Sequence, residues 1–131
     1  HGVVVDFAVP DGDALAWPEA VYDLVAAIFI QFADPAMRAR LFANMLRALR
    51  PDGLLVLQGY TPRQLQYRSG GPQRIDHLYT EQMLREAFAA EQIVELRSYD
   101  AELRDAVCNE CRDVVIANAK QVDGVIFDAI I

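Results

Sequence analysis

Cysteine, histidine and tryptophan are scarce in this chain, which has two, two and one among its 131 residues. Both cysteines fall in one Cys108-Asn109-Glu110-Cys111 segment, with no second such pair. A closed structural zinc site needs four ligands, and His1 and His77 are distant in sequence, so the segment supplies at most half a site. A redox dithiol prefers the start of a helix after a strand, whereas this pair precedes an expected strand, which leaves free thiols as the simpler reading. No apolar run approaches the roughly 20 residues of a membrane span, and the opening residues lack a charged n-region and a leader-like apolar segment. Basic charge is also low, with 12 Lys and Arg against 19 Asp and Glu, for a net charge of -7. The arginines are scattered over helix faces rather than gathered in a strip, which disfavours a polyanion and argues against nucleic acid. Repeats and low-complexity segments are absent as well. The expectation is a soluble cytoplasmic protein with neither membrane nor nucleic acid as partner. An initiator Met is lacking too: the chain opens at His1 with a β-like run two residues later, so sequence is expected upstream.

What is present is enough for a core. A hydrophobic share of 53% against 24% charged residues is that of one folded domain. The stretch from Tyr22 to Tyr60 organises it. Leu24 to Phe29 is apolar at every position, as expected of a parallel strand covered on both faces, and Leu54 to Leu57 reads the same way. Between them Asp34 is placed to cap a helix with Pro35 in its first turn. Met37, Leu41, Met45 and Leu49 recur every fourth residue beside Phe42 and Leu46, so one stripe faces the sheet while Arg38, Arg40 and Arg47 point outward. Pro51-Asp52-Gly53 ends the helix and turns the chain. The pattern predicts a β-α-β crossover.

Around this unit, Val3 to Phe7 reads as a strand ended by Pro10-Asp11-Gly12. The turn-rich connection from Gly12 to Glu19 then lies at a strand's carboxyl end, where open α/β sheets bind ligands. Gly59 to Pro72 is long and punctuated by Gly and Pro, so a lid or substrate loop is expected. Thr80 caps a helix over Glu81 to Ala90. Ile93 to Tyr99 and Val114 to Ala117 read as two further strands, joined near Asp105 to Arg112 as an antiparallel pair. The apolar VIFDAII terminus either packs as an extra strand or seeks a partner chain.

Three segments, GDALAWPEAVYDLVAAIF, MLRALRPDGLLVLQGY and above all GYTPRQLQYRSGGP, resemble in order and spacing the carboxyl-terminal part of class I methyltransferases that use S-adenosylmethionine. Within that superfamily the last segment is closest to the tellurite-resistance-like and thiopurine-methyltransferase-like proteins. The resemblance implies a Rossmann-like three-layer α/β/α sandwich, mostly parallel with an antiparallel last strand and with the amino-terminal strands missing. Residues 1–120 would form the partial methyltransferase domain, and residues 121–131 the apolar tail. It further implies that Asp13, Ala14 and Leu15 hold adenine, with the Asp13 carboxylate accepting from the amino group and the Ala14 N–H meeting a ring nitrogen. Asp13 also fits a turn residue that bonds its own backbone. The backbone at Ala27 and Ile28 would face the methionine end of the cofactor, and Gln31, Phe32, Tyr60, Tyr67, Gly70, Gly71 and Asn109 the acceptor side.

The chain departs from the family in places. No Gly-x-Gly-x-Gly occurs, and the acidic residue that ends the second strand has no counterpart. Gln31 and Asn109 stand where relatives often carry histidines, so a general base is absent from both positions. His77, beside the long loop, either faces a substrate or is a solvated loop residue. The implied activity is methyl transfer to a small-molecule acceptor. The alternative is a truncated domain without catalysis that acts as a dimer or interaction module through the exposed edge of Leu24 to Phe29.

Overall fold

The computed structural model describes residues 2–8, 11, 14–67, 71–101 and 124–130. The expected crossover is its centre. β1 (Tyr22–Ile28) leads through α1 (Pro35–Ala48) into β2 (Leu49–Tyr60), and the two strands pair in parallel from Leu24↔Leu54 to Ile28↔Gln58. Asp34 caps α1, its Oδ1 accepting from the Met37 N–H at 2.8 Å, with Pro35 in the first turn. Leu41, Phe42, Met45 and Ala48 are the buried stripe of that helix. Arg38 corrects the expectation of an outward arginine row. It is half-buried, lies over the Tyr79 ring and donates to the Asp76 carbonyl at 2.8 Å.

Helix α1 ends before Pro51-Asp52-Gly53, and β2 already begins at Leu49. Tyr22 pairs with Leu49 and Leu24 with Leu54, so the chain bulges between these two rungs. The bulge is tight: Asp52 has a φ of 65°, and a Cβ on Gly53 would come within 2.9 Å of the Arg50 carbonyl oxygen.

Beyond β2, α2 (Gln64–Tyr67) lies within the stretch expected to be a lid, a 3₁₀ turn (Ile75–His77) follows that stretch, and α3 (Glu81–Ala87) is shorter than predicted. Thr80 caps α3 through the Met83 N–H at 3.1 Å. β3 (Glu95–Ala101) follows, and β4 (Gly124–Ile130) inserts antiparallel between β2 and β3. The sheet order is β1-β2-β4-β3, with β1, β2 and β3 running one way. This is the Rossmann-like α/β class, mostly parallel with an antiparallel last strand. The antiparallel partner of β3 is therefore the terminal segment. The expected strand at Val114 to Ala117 and its connection near Asp105 to Arg112 lie outside the described residues.

Two further expectations are corrected. Val3 to Phe7 forms no strand: its valines and Phe7 are exposed, Phe7 at 90%, because β-branched residues favour an extended backbone but only a neighbouring ladder makes a strand. Nor is β1 covered on both faces. Val25 and Ala27 turn toward the cluster of Leu41, Phe42, Met45, Leu55, Leu57, Leu84 and Phe88, whereas Leu24 is 55% exposed and Tyr22 45%. The Phe42 ring packs 4.9 Å from that of Phe88, so α1 and the end of α3 share one side of the sheet. Of the three layers expected, the described residues supply two. Each fully buried leucine on the covered side, Leu55 and Leu57 among them, contributes about 1.5–3 kcal/mol relative to exposure.

Candidate functional site

Parallel strands place their carboxyl ends together, and the chain leaves β1 and β2 at the same edge of the sheet. Phe29, the first residue after β1, has a φ of 52°, a left-handed conformation that a non-glycine residue adopts at a cost of about 1 kcal/mol or more. Its N–H still reaches the Gln58 carbonyl at 2.8 Å, and its ring stacks on Tyr60 at 4.7 Å. The turn sends the chain from the strand into Gln31 and Phe32 at the rim.

Gln31 is buried and holds the edge together. Its Oε1 accepts from the Tyr60 N–H at 2.7 Å, and its Nε2 donates to the carbonyls of Tyr60 at 2.8 Å and His77 at 3.3 Å. One amide thus ties the end of β1 to the end of β2 and to the 3₁₀ turn. The Tyr79 N–H adds a bond to the Tyr60 carbonyl at 2.9 Å. Gly59 makes this approach possible, since a Cβ there would lie 2.7 Å from the Tyr79 ring and 2.9 Å from the Gln31 side-chain carbon. The side chain expected at the acceptor face is therefore a brace with its hydrogen-bonding groups engaged.

A cleft of about 390 Å³ opens beside this brace, lined by Phe29, Gln31, Phe32, Pro72, Gln73, Arg74 and His77. Arg74 does not bring a free charge to it. Its guanidinium makes two bonds to Asp76, at 2.7 and 3.1 Å, which hold the Asp76 carboxyl below its usual range. A larger cavity of about 640 Å³, lined by residues such as Glu19, Arg47, Arg50 and Asp52, lies at the opposite ends of the same strands. Ligands of open parallel sheets sit at the carboxyl ends, so the smaller cleft is the candidate site.

Buried polar atoms without hydrogen-bond partners gather on the same stretch of chain. Among the described residues they are Trp17 Nε1, Thr61 Oγ1, both amide atoms of Gln64, His77 Nε2 and Tyr79 Oη, and all but the first follow β2. Burial pushes the Tyr79 hydroxyl up to about 12. Orphaned polar groups each cost about 1–3 kcal/mol in a folded core, so their concentration beside one strand end marks a region not shaped for stability alone.

The structure brings some of the predicted site residues together. Gln31 and Phe32 line the cleft, and Tyr60 backs it through its stack on Phe29. Gly71 lies against Tyr60, where an added Cβ would come within 2.9 Å of the ring. Tyr67 closes α2, and only its backbone is described. Ala27 turns its side chain into the core, and Ile28 is half-buried. At the expected adenine end the fit is partial: the Ala14 N–H donates to the Asp11 carbonyl at 3.0 Å in a turn, so it is not open to a ring nitrogen, and Leu15 beside it is half-buried. Asp13, Gly70 and Asn109 lie outside the described residues, as do Cys108 and Cys111. No group of three or more metal-ligating side chains occurs among the described residues, and none of their helices is long and apolar enough to cross a membrane. The residue that sequence reasoning left undecided is His77, whose place in the cleft depends on contacts across 46 positions of sequence.

No protein family and no curated sequence matches the chain. Solved structures do. The chain aligns over 95% of its length with 65% of a SAM-dependent methyltransferase from Methanosarcina mazei, at a TM-score of 0.62 and 18% identity. Its fold is that of SAM-dependent methyltransferases. The N-methyltransferase NodS from Bradyrhizobium japonicum aligns over 94% of this chain and 56% of its own, at a TM-score of 0.55 and 18% identity. A SAM dependent methyltransferase from Archaeoglobus fulgidus aligns over 88% and 61%, at 0.54 and 13%. The chain spans 65% of the length of the first and less of the other two. In this methyltransferase fold the cleft lies at the carboxyl ends of the first two parallel strands described here.

Proposed function

We propose that the chain belongs to a protein that transfers a methyl group from S-adenosylmethionine to a small-molecule acceptor. The observation that carries this reading is the coincidence of the methyltransferase fold with a cleft at the carboxyl ends of β1 and β2. The cofactor supplies an electrophilic methyl group. This chain's residues supply a wall: the turn at Phe29 and the brace at Gln31. The closer kinship with tellurite-resistance-like and thiopurine-methyltransferase-like proteins belongs to the same proposal and is supported by the GYTPRQLQYRSGGP segment.

Calorimetric titration of S-adenosylhomocysteine, with Asp13→Ala as control, tests the proposal. Saturable binding that weakens in the variant supports it, and absence of binding at millimolar ligand removes the enzyme reading for this polypeptide.

A second reading is favoured by one observation. Among the described residues β1 has a single neighbour in the sheet, and Leu24 and Tyr22 are exposed on the face opposite the buried core. An unpaired edge with apolar side chains is a template for pairing, so self-association through β1 into a homodimer is the alternative. Leu24→Asp would then turn a dimer into a monomer in sedimentation, whereas a wild-type chain that sediments as a monomer at all concentrations would rule the alternative out.

A further inference from the structure

Phe29 sits where the alternation of a strand would not put it. Along β1, Val25 and Ala27 turn toward the buried cluster, and a period of two would send residue 29 to the same side. The left-handed backbone at Phe29, with its φ of 52°, breaks that alternation. On β2 the buried positions are Leu55, Leu57 and Gly59, so Tyr60 falls out of phase with them, and the Phe29 ring rests on Tyr60 in a stack at 4.7 Å and 27°. The ring has thus left the core side for the cleft, where Phe29 stays 37% exposed. The strain costs stability, and the part of the ring left in solvent returns none. Such an outlier points to a task in the site.

Most polar groups of the lining are already committed. The Gln31 amide is engaged with Tyr60 and His77, the Gln73 amide nitrogen donates to the Gly71 carbonyl, and the Arg74 guanidinium is paired with Asp76. The His77 Nδ1 donates to the Gln31 carbonyl at 3.0 Å, since a carbonyl oxygen only accepts, and its Nε2 is buried out of a ligand's reach. What the described lining leaves to a ligand is mainly carbon, in the rings of Phe29, Phe32 and Pro72. Tyr60 takes one face of the Phe29 ring, so Phe29 gives the cleft its other face and edge. The Tyr60 ring is itself packed against Gly71, where even a Cβ would come within 2.9 Å. A fixed aromatic face favours a flat aromatic ring over a puckered one of similar size.

We propose that Phe29 is a specificity-determining residue, held by its left-handed turn as a stacking platform for an uncharged aromatic ring of the ligand. The inference rests on the methyl-transfer reading only in calling that ligand the methyl acceptor. The platform itself follows from the turn, the stack on Tyr60 and the committed polar lining.

The test uses benzyl alcohol and cyclohexylmethanol, which carry the same hydroxymethyl group on a flat and on a puckered ring. Burial of apolar area alone would favour cyclohexylmethanol, the bulkier ring. In NMR titrations of the wild-type chain, benzyl alcohol should instead bind about two- to tenfold more tightly, the factor that stacking adds beyond area. Intermolecular NOEs from the benzyl ring should reach the Phe29 ring protons. Phe29→Leu keeps an apolar side chain without an aromatic face and should bring the ratio to about one or below. Phe29→Gly suits the left-handed turn and should keep the fold while losing most of the affinity for benzyl alcohol.

Equal or weaker binding of benzyl alcohol to the wild-type chain, no binding of either compound, or NOEs that bypass Phe29 would each overturn the proposal. So would a preference that survives in Phe29→Leu. The wild-type ratio and the NOEs need no variant, so misfolding of either variant leaves the test intact. Stacking of benzyl alcohol on Phe29 in a chain that takes up no S-adenosylhomocysteine would keep the platform and remove the methyl-transfer reading. Uptake of S-adenosylhomocysteine without the aromatic preference would remove the platform alone.

Discussion

The two ends of the β1–β2 pair are built from different chemistry. At the amino end Asp23 and Arg50 form an exposed ion pair at 3.0 Å, and the chain turns through Pro51-Asp52-Gly53. At the carboxyl end a buried amide joins three segments, a ring packs on a glycine, and several polar atoms lack partners. The ion pair at the first end stands in solvent, so it is weak and replaceable. The second end is shielded from water, so each bond made or missed there has a large consequence.

Four experiments probe this difference. Gly59→Ala should have the largest effect, about 3 kcal/mol in denaturant unfolding, because its Cβ would enter the space of the Tyr79 ring and the Gln31 side chain. An alanine variant of wild-type stability would show that the carboxyl end is loosely packed.

Next is the alkaline limb of stability. Tyr79 titrates near 12 when folded and near 10 when unfolded, so the folded state holds its proton more tightly. That preference is present in full below pH 10 and is lost as pH rises toward 12. By linkage the loss amounts to about 2–3 kcal/mol, and Tyr79→Phe should flatten it. Absorbance titration that shows every tyrosine ionising near 10 would contradict the burial of this ring.

Gln31→Leu should cost about 2 kcal/mol, since it leaves the Tyr60 N–H without its acceptor in a buried setting. Gln31→Glu sharpens the point: a carboxylate accepts from the Tyr60 N–H but cannot donate to the two carbonyls.

The smallest effect is expected at the opposite end, where Arg50→Ala should change stability by less than about 0.5 kcal/mol. A larger loss there would erase the contrast between the ends.

Much of the fold was legible in order along the chain. Asp34 and Pro35 announced a helix start because capping is a local matter of a few residues, and the apolar stripe from Met37 to Met45 followed from the helical period. The resemblance carried by GDALAWPEAVYDLVAAIF and GYTPRQLQYRSGGP pointed to the methyltransferase fold, which the structural comparison supports. The site was legible only in part. Of the residues expected at the acceptor side, Gln31 and Phe32 come together at one cleft, with Tyr60 behind it. That Gln31 is a brace could not be read, since its partners lie 29 and 46 residues away.

Apolar runs fixed where strands and helices form, through propensity and periodicity that act over a turn or a few residues. Only the tertiary structure decided which faces are covered. Leu24 and Ala27 look alike in an apolar run, yet one is exposed and the other 2% accessible, because helices pack on one side of the sheet. The same holds for Val3 to Phe7, extended but without a ladder, and for the terminal segment, which became β4 by finding β2 and β3. The tautomer of His77 is likewise a product of the fold. An imidazole's two nitrogens are distinguished only by what lies against them, and here that is a carbonyl brought from 46 residues away.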